Sequence, residues 1–174
     1  MRSGFLLGFI LSFCLGLFLI AIILKITKTD KASRCRYDER QQQQRGVGFK
    51  YAFFTLVIYN SLYASLGLIS EKVFMDTPTG CITGVLLGVF VYALYGIRHE
   101  SYLSLNENPK RVIIAFILIG AINLILAAVN IFQHRMIENG ILTFHILNLF
   151  CGIMIVVIAL AIIIRQYQLK NEVD

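Results

Sequence analysis

Charge is missing from most of this chain. Asp, Glu, Lys and Arg make up 15% of its 174 residues, and none of them falls inside five long apolar runs at about 5–24, 51–70, 80–97, 112–132 and 142–164. A bilayer core takes about 20 apolar residues per spanning helix; four of the runs reach that length and the third comes close. The absence of charge, with 57% hydrophobic residues and a mean hydropathy of +0.74, excludes an ordinary soluble domain, whose surface must be polar. The longest connection, 25–50, is too short to pack a core of its own. A single all-α membrane domain over 1–174 is expected, as a bundle of five transmembrane helices.

Other absences narrow the function. There is no HExxH, GxSxG or Walker A string, so no enzyme is expected. No run carries a carboxylate, which counts against a proton-coupled transporter, because such pathways need an ionisable group at depth. The four cysteines, Cys14, Cys35, Cys81 and Cys151, form no CxxC pair and no Cys/His metal spacing, so neither a metal nor another cofactor is expected. The first run follows Arg2 but is long for a signal peptide and ends in Lys25-Ile26-Thr27-Lys28 without a small-x-small cleavage site. It reads as a retained helix.

The positive charge that is present marks orientation rather than nucleic acid. The connections 25–50 and 98–111 and the tail from Arg165 hold thirteen Lys and Arg; the other side holds Arg2, Lys72 and Arg135. Basic residues stay cytoplasmic, so the N-terminus is expected outside and the C-terminus inside. Asp76-Thr77-Pro78 and Asn108-Pro109 are helix starts, a capping side chain followed by proline in the first turn. Asn139-Gly140 is a tight turn. The short outer connections make runs two and three, and runs four and five, antiparallel neighbours.

Small residues recur every four positions in two runs: Gly4, Gly8, Ser12 and Gly16, then Gly80, Gly84 and Gly88. That step keeps them on one helix face, where missing side chains let helices approach closely in lipid. The first and third runs are expected to meet along these ladders, or one ladder to join two copies of the chain. Inside the runs the polar residues are Asn60, Ser61, Asn123, Asn130, His145 and Asn148. They admit two readings: hydrogen bonds that hold the bundle, or a polar path with His145 as a proton-sensitive group.

The segment 25–50 carries a local charge of +5, from eight basic and three acidic residues. Near an anionic inner leaflet each Lys or Arg contributes about 1 kcal/mol, so the segment reads as interfacial. A sharper reading makes Arg36, Asp38, Glu39, Arg40 and Arg45 a docking site for a membrane or cytosolic partner, with Gly46 and Gly48 letting the chain turn into the second run. Both large cytoplasmic connections should form one face.

The strings Tyr37-Asp38-Glu39-Arg40-Gln41, Arg45-Gly46-Val47-Gly48-Phe49-Lys50-Tyr51-Ala52-Phe53-Phe54-Thr55 and Ser104-Leu105-Asn106-Glu107-Asn108-Pro109-Lys110-Arg111 resemble a family of small multi-span membrane proteins of low-GC Gram-positive bacteria. The resemblance implies a bacterial plasma membrane and brings no catalytic residues. The expected function is a non-enzymatic accessory, sensory or regulatory component working through its cytoplasmic face. The alternative is a small oligomeric transporter or channel-like protein using the intramembrane Asn and His positions.

Overall fold

The computed structural model describes residues 15, 18, 22, 25–26, 35–69 and 74–171. Most of the first run, with Gly8, Gly16 and Cys14, lies outside them; Leu15, Phe18, Ile22, Lys25 and Ile26 are helical. The described chain is an all-α bundle of four long helices: α1 (Glu39–Ile69), α2 (Thr77–Arg98), α3 (Pro109–Phe132) and α4 (Leu147–Asn171). A short hairpin, β1 (Ile137–Glu138) with β2 (Ile141–Leu142), and a 3₁₀ turn at Phe144–Ile146 separate α3 from α4. All four helices are long and apolar enough to cross a membrane.

Local chemistry explains the boundaries. Asp76 caps α2, its carboxylate accepting from Thr79 N at 2.7 Å, and Asn108 caps α3 by accepting from Lys110 N at 3.0 Å. Each cap occupies one of the orphan donors of a first turn. Helix α2 ends in a Schellman motif: Glu100 N reaches Ile97 O and Ser101 N reaches Gly96 O, with Glu100 at φ 57°. Helix α3 ends the same way at His134, φ 53°. The Asn139-Gly140 turn joins β1 to β2 with both residues at positive φ, 51° and 79°. That is the primed geometry suited to a two-residue hairpin. Leu142 also bridges to Met75, tying this hairpin to the α1–α2 connection.

Helix α1 departs from expectation. It does not turn at Gly46 and Gly48 but runs straight through them, beginning at Glu39 rather than near Tyr51. The twelve residues gained extend the helix by about 18 Å. The extension is held because it packs on α2: Gly48 is buried against the rings of Tyr92 and Tyr95, and Phe49 and Tyr51 lie against those same rings, centroids 4.5 and 5.3 Å apart.

The bundle is two antiparallel hairpins, α1–α2 and α3–α4, joined through α2 and α4. The buried cluster Ala93, Ile97, Val112, Ile158 and Ile162 lies where α2, α3 and α4 converge. The ladder Gly80, Gly84 and Gly88 is a packing surface, and among the described residues its partner is α1. A Cβ at Gly80 would meet the Tyr63 ring, one at Gly84 would meet Asn60 and Tyr59, and one at Gly88 would stand 3.0 Å from the Ala52 carbonyl oxygen. The short connection forces this antiparallel contact, which takes the face expected to receive the first run. Gly120 and Gly152 play the same part between α3 and α4. The outward faces stay apolar: Leu62, Leu66, Ile117 and Ile125 are exposed, as suits helices solvated by lipid.

Candidate functional site

The polar chemistry of the described chain gathers at one end, where α1 begins, α2 and α4 end, and the loop 99–108 crosses between α2 and α3. The start of α1 is a capping box. Asp38 Oδ1 accepts from Gln41 N at 2.6 Å and Gln41 Oε1 accepts from Asp38 N at 3.3 Å, so two backbone donors are satisfied reciprocally. The Gln41 amide, 6% exposed, then donates to Glu100 O at 2.7 Å and Leu103 O at 3.3 Å. One buried side chain thus caps a helix and pins the loop.

Glu100 is the second tie. Its left-handed backbone places the carboxylate between two helices, where it accepts from Arg40 Nη2 at 3.1 Å and from Arg165 Nη2. A non-glycine residue in that conformation costs about 1–2 kcal/mol, which the two charge-assisted bonds offset. Hydrogen bonding from Arg165, and then from Arg40, holds the Glu100 carboxyl below its ordinary pKa against the opposing effect of burial.

Arg45 is the third. Its guanidinium lies 4.1 Å from the Tyr37 ring centroid and donates to Ser101 O at 3.3 Å. Ser101 is fully buried. Burial pushes the Tyr37 and Tyr102 phenols up to about 12, although Arg45 opposes the rise in both. Backbone pairing completes the face: Leu105 N donates to Arg36 O at 2.8 Å, and Arg36 N donates to Asn106 Oδ1 at 3.2 Å. The two connections expected to form one face do so. Arg111 reaches Ile26 O at 3.3 Å, which brings the end of the first run to the same side. Between Arg40, Gln41, Glu100, Tyr102 and Arg165 lies a half-open cleft of about 300 Å³.

Of the residues singled out for docking, Asp38, Arg40 and Arg45 are therefore engaged within the chain, whereas the side chains of Arg36 and Glu39 are exposed. Gln41, Glu100 and Arg165 were not singled out. Gln41 had a signal, an amide three positions after an Asp at a helix start; Glu100 and Arg165 meet across 65 residues with none.

The polar residues of the runs are not drawn together. Asn60 Nδ2 donates to Leu56 O and Asn123 Nδ2 to Ile119 O, both at 2.9 Å and within their own helices. Asn130 Nδ2 reaches His145 O at 3.4 Å, linking the end of α3 to the 3₁₀ turn. His145 sits in that turn, its ring against Phe144, and Asn148 is half-buried one residue into α4. Cys35, Cys81 and Cys151 are free thiols. Among the described residues no three His, Cys, Asp or Glu side chains converge as metal ligands would. No protein-family model, curated protein or solved structure matches the chain.

Proposed function

We propose that the chain is a multi-pass plasma-membrane protein of five spans, N-terminus outside, acting without catalysis as an accessory, sensory or regulatory component through its cytoplasmic end. The observation that carries this reading is the cross-linking of α1, α4 and loop 99–108 by Gln41, Glu100 and Arg45. Three segments far apart in sequence are held as one surface, with long-range polar bonds concentrated there. The Asn60 and Asn123 amides donate within their own helices, which supports neither a bond between helices nor a polar path at those positions.

The test is purification of the tagged protein from its native membrane in mild detergent, followed by identification of copurifying proteins. The paired variant Arg36→Glu/Glu39→Lys, altered only at exposed side chains, is the comparison. A partner recovered with the wild type and lost with that variant supports the reading. No partner with either, together with a stable homo-oligomer that conducts a solute in vesicles, would replace it by the transport reading.

A further inference from the structure

A groove of about 440 Å³ runs between α2 and α4 beside the polar face. Its walls are apolar, from Leu94 on α2 and Ala161 and Ile164 on α4, and its rim carries Arg98, Arg165 and Gln168. The position is specific. Arg98 is the last residue of α2, and Arg165 lies in the closing turns of α4. Both helices approach this end in the same direction, so the rim stands where apolar span gives way to polar connection.

We infer that this groove holds one anionic phospholipid, its phosphate at Arg98 and Arg165 and an acyl chain along Leu94, Ala161 and Ile164. The inference rests on the membrane reading above and gives it a defined lipid partner. Three features carry it. First, the lining is divided as a phospholipid is divided, basic at the helix ends and apolar toward the span. Basic pockets between spanning helices suit lipid headgroups for this reason. Second, among the described residues no carboxylate lines the groove; Glu100 approaches Arg165 from the neighbouring cleft and already balances Arg40 there. Third, Arg98 differs from the cations around it. Arg40 and Arg165 bind Glu100, and Arg45 binds Ser101 O, whereas the exposed Arg98 side chain makes no hydrogen bond or ion pair among the described residues. Arg165 is fixed by Glu100 and by Gln168 Oε1 at 3.3 Å, so one side of the rim is preset and the other can close on an anion. Phosphate oxygens are good acceptors for the planar donor fork of the Arg98 guanidinium, with Arg165 adding positive charge across the rim.

The experiment uses the full chain in detergent micelles, with dioleoyl phosphatidylglycerol or dioleoyl phosphatidylcholine added and retained lipid counted by native mass spectrometry. The wild type should retain phosphatidylglycerol in preference to phosphatidylcholine. Arg98→Gln should weaken phosphatidylglycerol retention about five-fold, the value of one basic residue at an anionic surface. Arg98→Lys should keep most of it, and Arg135→Gln, exposed beyond the far end of α3 and outside the groove, should keep all of it. Glycerol phosphate, which lacks acyl chains, should not compete at equal concentration. Equal retention by wild type and Arg98→Gln, equal retention of the two lipids, or full competition by glycerol phosphate would each overturn the inference. Alkaline carbonate extraction separates the two levels: release of the chain from membranes removes the membrane reading itself, while a chain that stays embedded and fails the lipid arm removes only the groove.

Discussion

The α1–α2 interface makes a prediction whose sign changes from one glycine to the next. At Gly80 an added Cβ would stand 2.2 Å from Tyr63 Cζ and 2.4 Å from its Cε1. Carbon atoms in contact prefer about 3.5–4.0 Å, so the ring would have to move by more than about 1 Å. Tyr63 is 8% exposed and cannot simply swing outward. Its hydroxyl donates to Met75 O at 2.9 Å and lies 3.2 Å from Asp76 O, fixing the α1–α2 connection just before the α2 cap. Overpacking costs about 1–3 kcal/mol, each lost hydrogen bond about 0.5–1.5 kcal/mol, and alanine returns about 0.5–1 kcal/mol over glycine within a helix. Gly80→Ala should therefore destabilise the bundle by about 0.5–4 kcal/mol, centred near 2 kcal/mol. Gly46 and Gly67 have nothing within 4 Å of a built Cβ, so Gly46→Ala and Gly67→Ala should each stabilise by about 0.5–1 kcal/mol.

Unfolding in detergent micelles, followed by circular dichroism, would order the three variants against the wild type. A double-mutant cycle isolates the cause. In a Tyr63→Ala background the Gly80→Ala cost should vanish, because the clashing ring has gone. A Gly80→Ala protein as stable as the wild type would refute the close packing. A cost that persists undiminished without the Tyr63 ring would refute the mechanism.

The capping box gives a second outcome: Asp38→Ala should cost about 1 kcal/mol, and Gln41→Ala more, about 1–3 kcal/mol, because it also leaves loop carbonyls unpaired; amide exchange at the start of α1 should accelerate in both. Glu100 gives a pH dependence. Its carboxyl is held below the ordinary value of 4.5, so its stabilising contribution is complete above 4.5 and is lost as the pH falls through the lowered folded value. Glu100→Gln should remove that acid limb from a stability–pH profile. Tyr102 acts at the other extreme: with its phenol at about 12 in the folded chain, ionisation favours the unfolded state as pH rises above the ordinary 10, and Tyr102→Phe should flatten that alkaline limb. Asn123→Leu should change stability by less than about 0.5 kcal/mol, since the amide serves only its own helix and interhelical bonds of this kind average about 0.6 kcal/mol; a loss of several kcal/mol would reveal a second partner.

Local signals were legible wherever one stretch of chain decides the outcome. The Asp76 and Asn108 caps, the Asn139-Gly140 turn, the neighbouring helices in each hairpin and the small-residue face of α2 all follow from short spacings. The partner of that face did not follow, because a glycine ladder states that something packs closely and not what. Chain connection decides it: α1 returns directly onto α2 through a short loop. The unbroken helix through Gly46 and Gly48 was also hidden. Glycine propensity argues for a break, whereas the rings of Tyr92 and Tyr95, more than forty residues later, fill the space Gly48 leaves. The meeting of Arg40, Glu100 and Arg165 is of the same long-range kind. A count of basic residues by side places both arginines at one end, and Glu100 lies in the connection 98–111 at that end, but only the left-handed turn at Glu100 aims its carboxylate between them.

These internal ties change how a docking surface must be tested. Removing Asp38, Glu39 and Arg40 together would delete a cap and one of the two Glu100 ion pairs as well as an exposed carboxylate, so loss of a partner would not separate surface chemistry from surface shape. Arg36 and Glu39 offer the cleaner pair. The Arg36 backbone holds the loop through Leu105 and Asn106, but its side chain is exposed, and reversing the charges at 36 and 39 leaves every backbone bond in place. The expected outcome for Arg36→Glu/Glu39→Lys is unfolding changed by no more than about 1 kcal/mol, the worth of the Glu39 charge in the first turn of α1, with a weakened partner complex whose residual affinity depends on salt. The Gln41→Ala variant, whose exposed chemistry is nearly intact, should weaken the complex only in proportion to its loosened loop. If Gln41→Ala abolishes the complex and the charge reversal leaves it whole, the partner reads the shape of loop 99–108. Neither variant having any effect on a demonstrated complex would place the contact elsewhere and refute this face as the working surface.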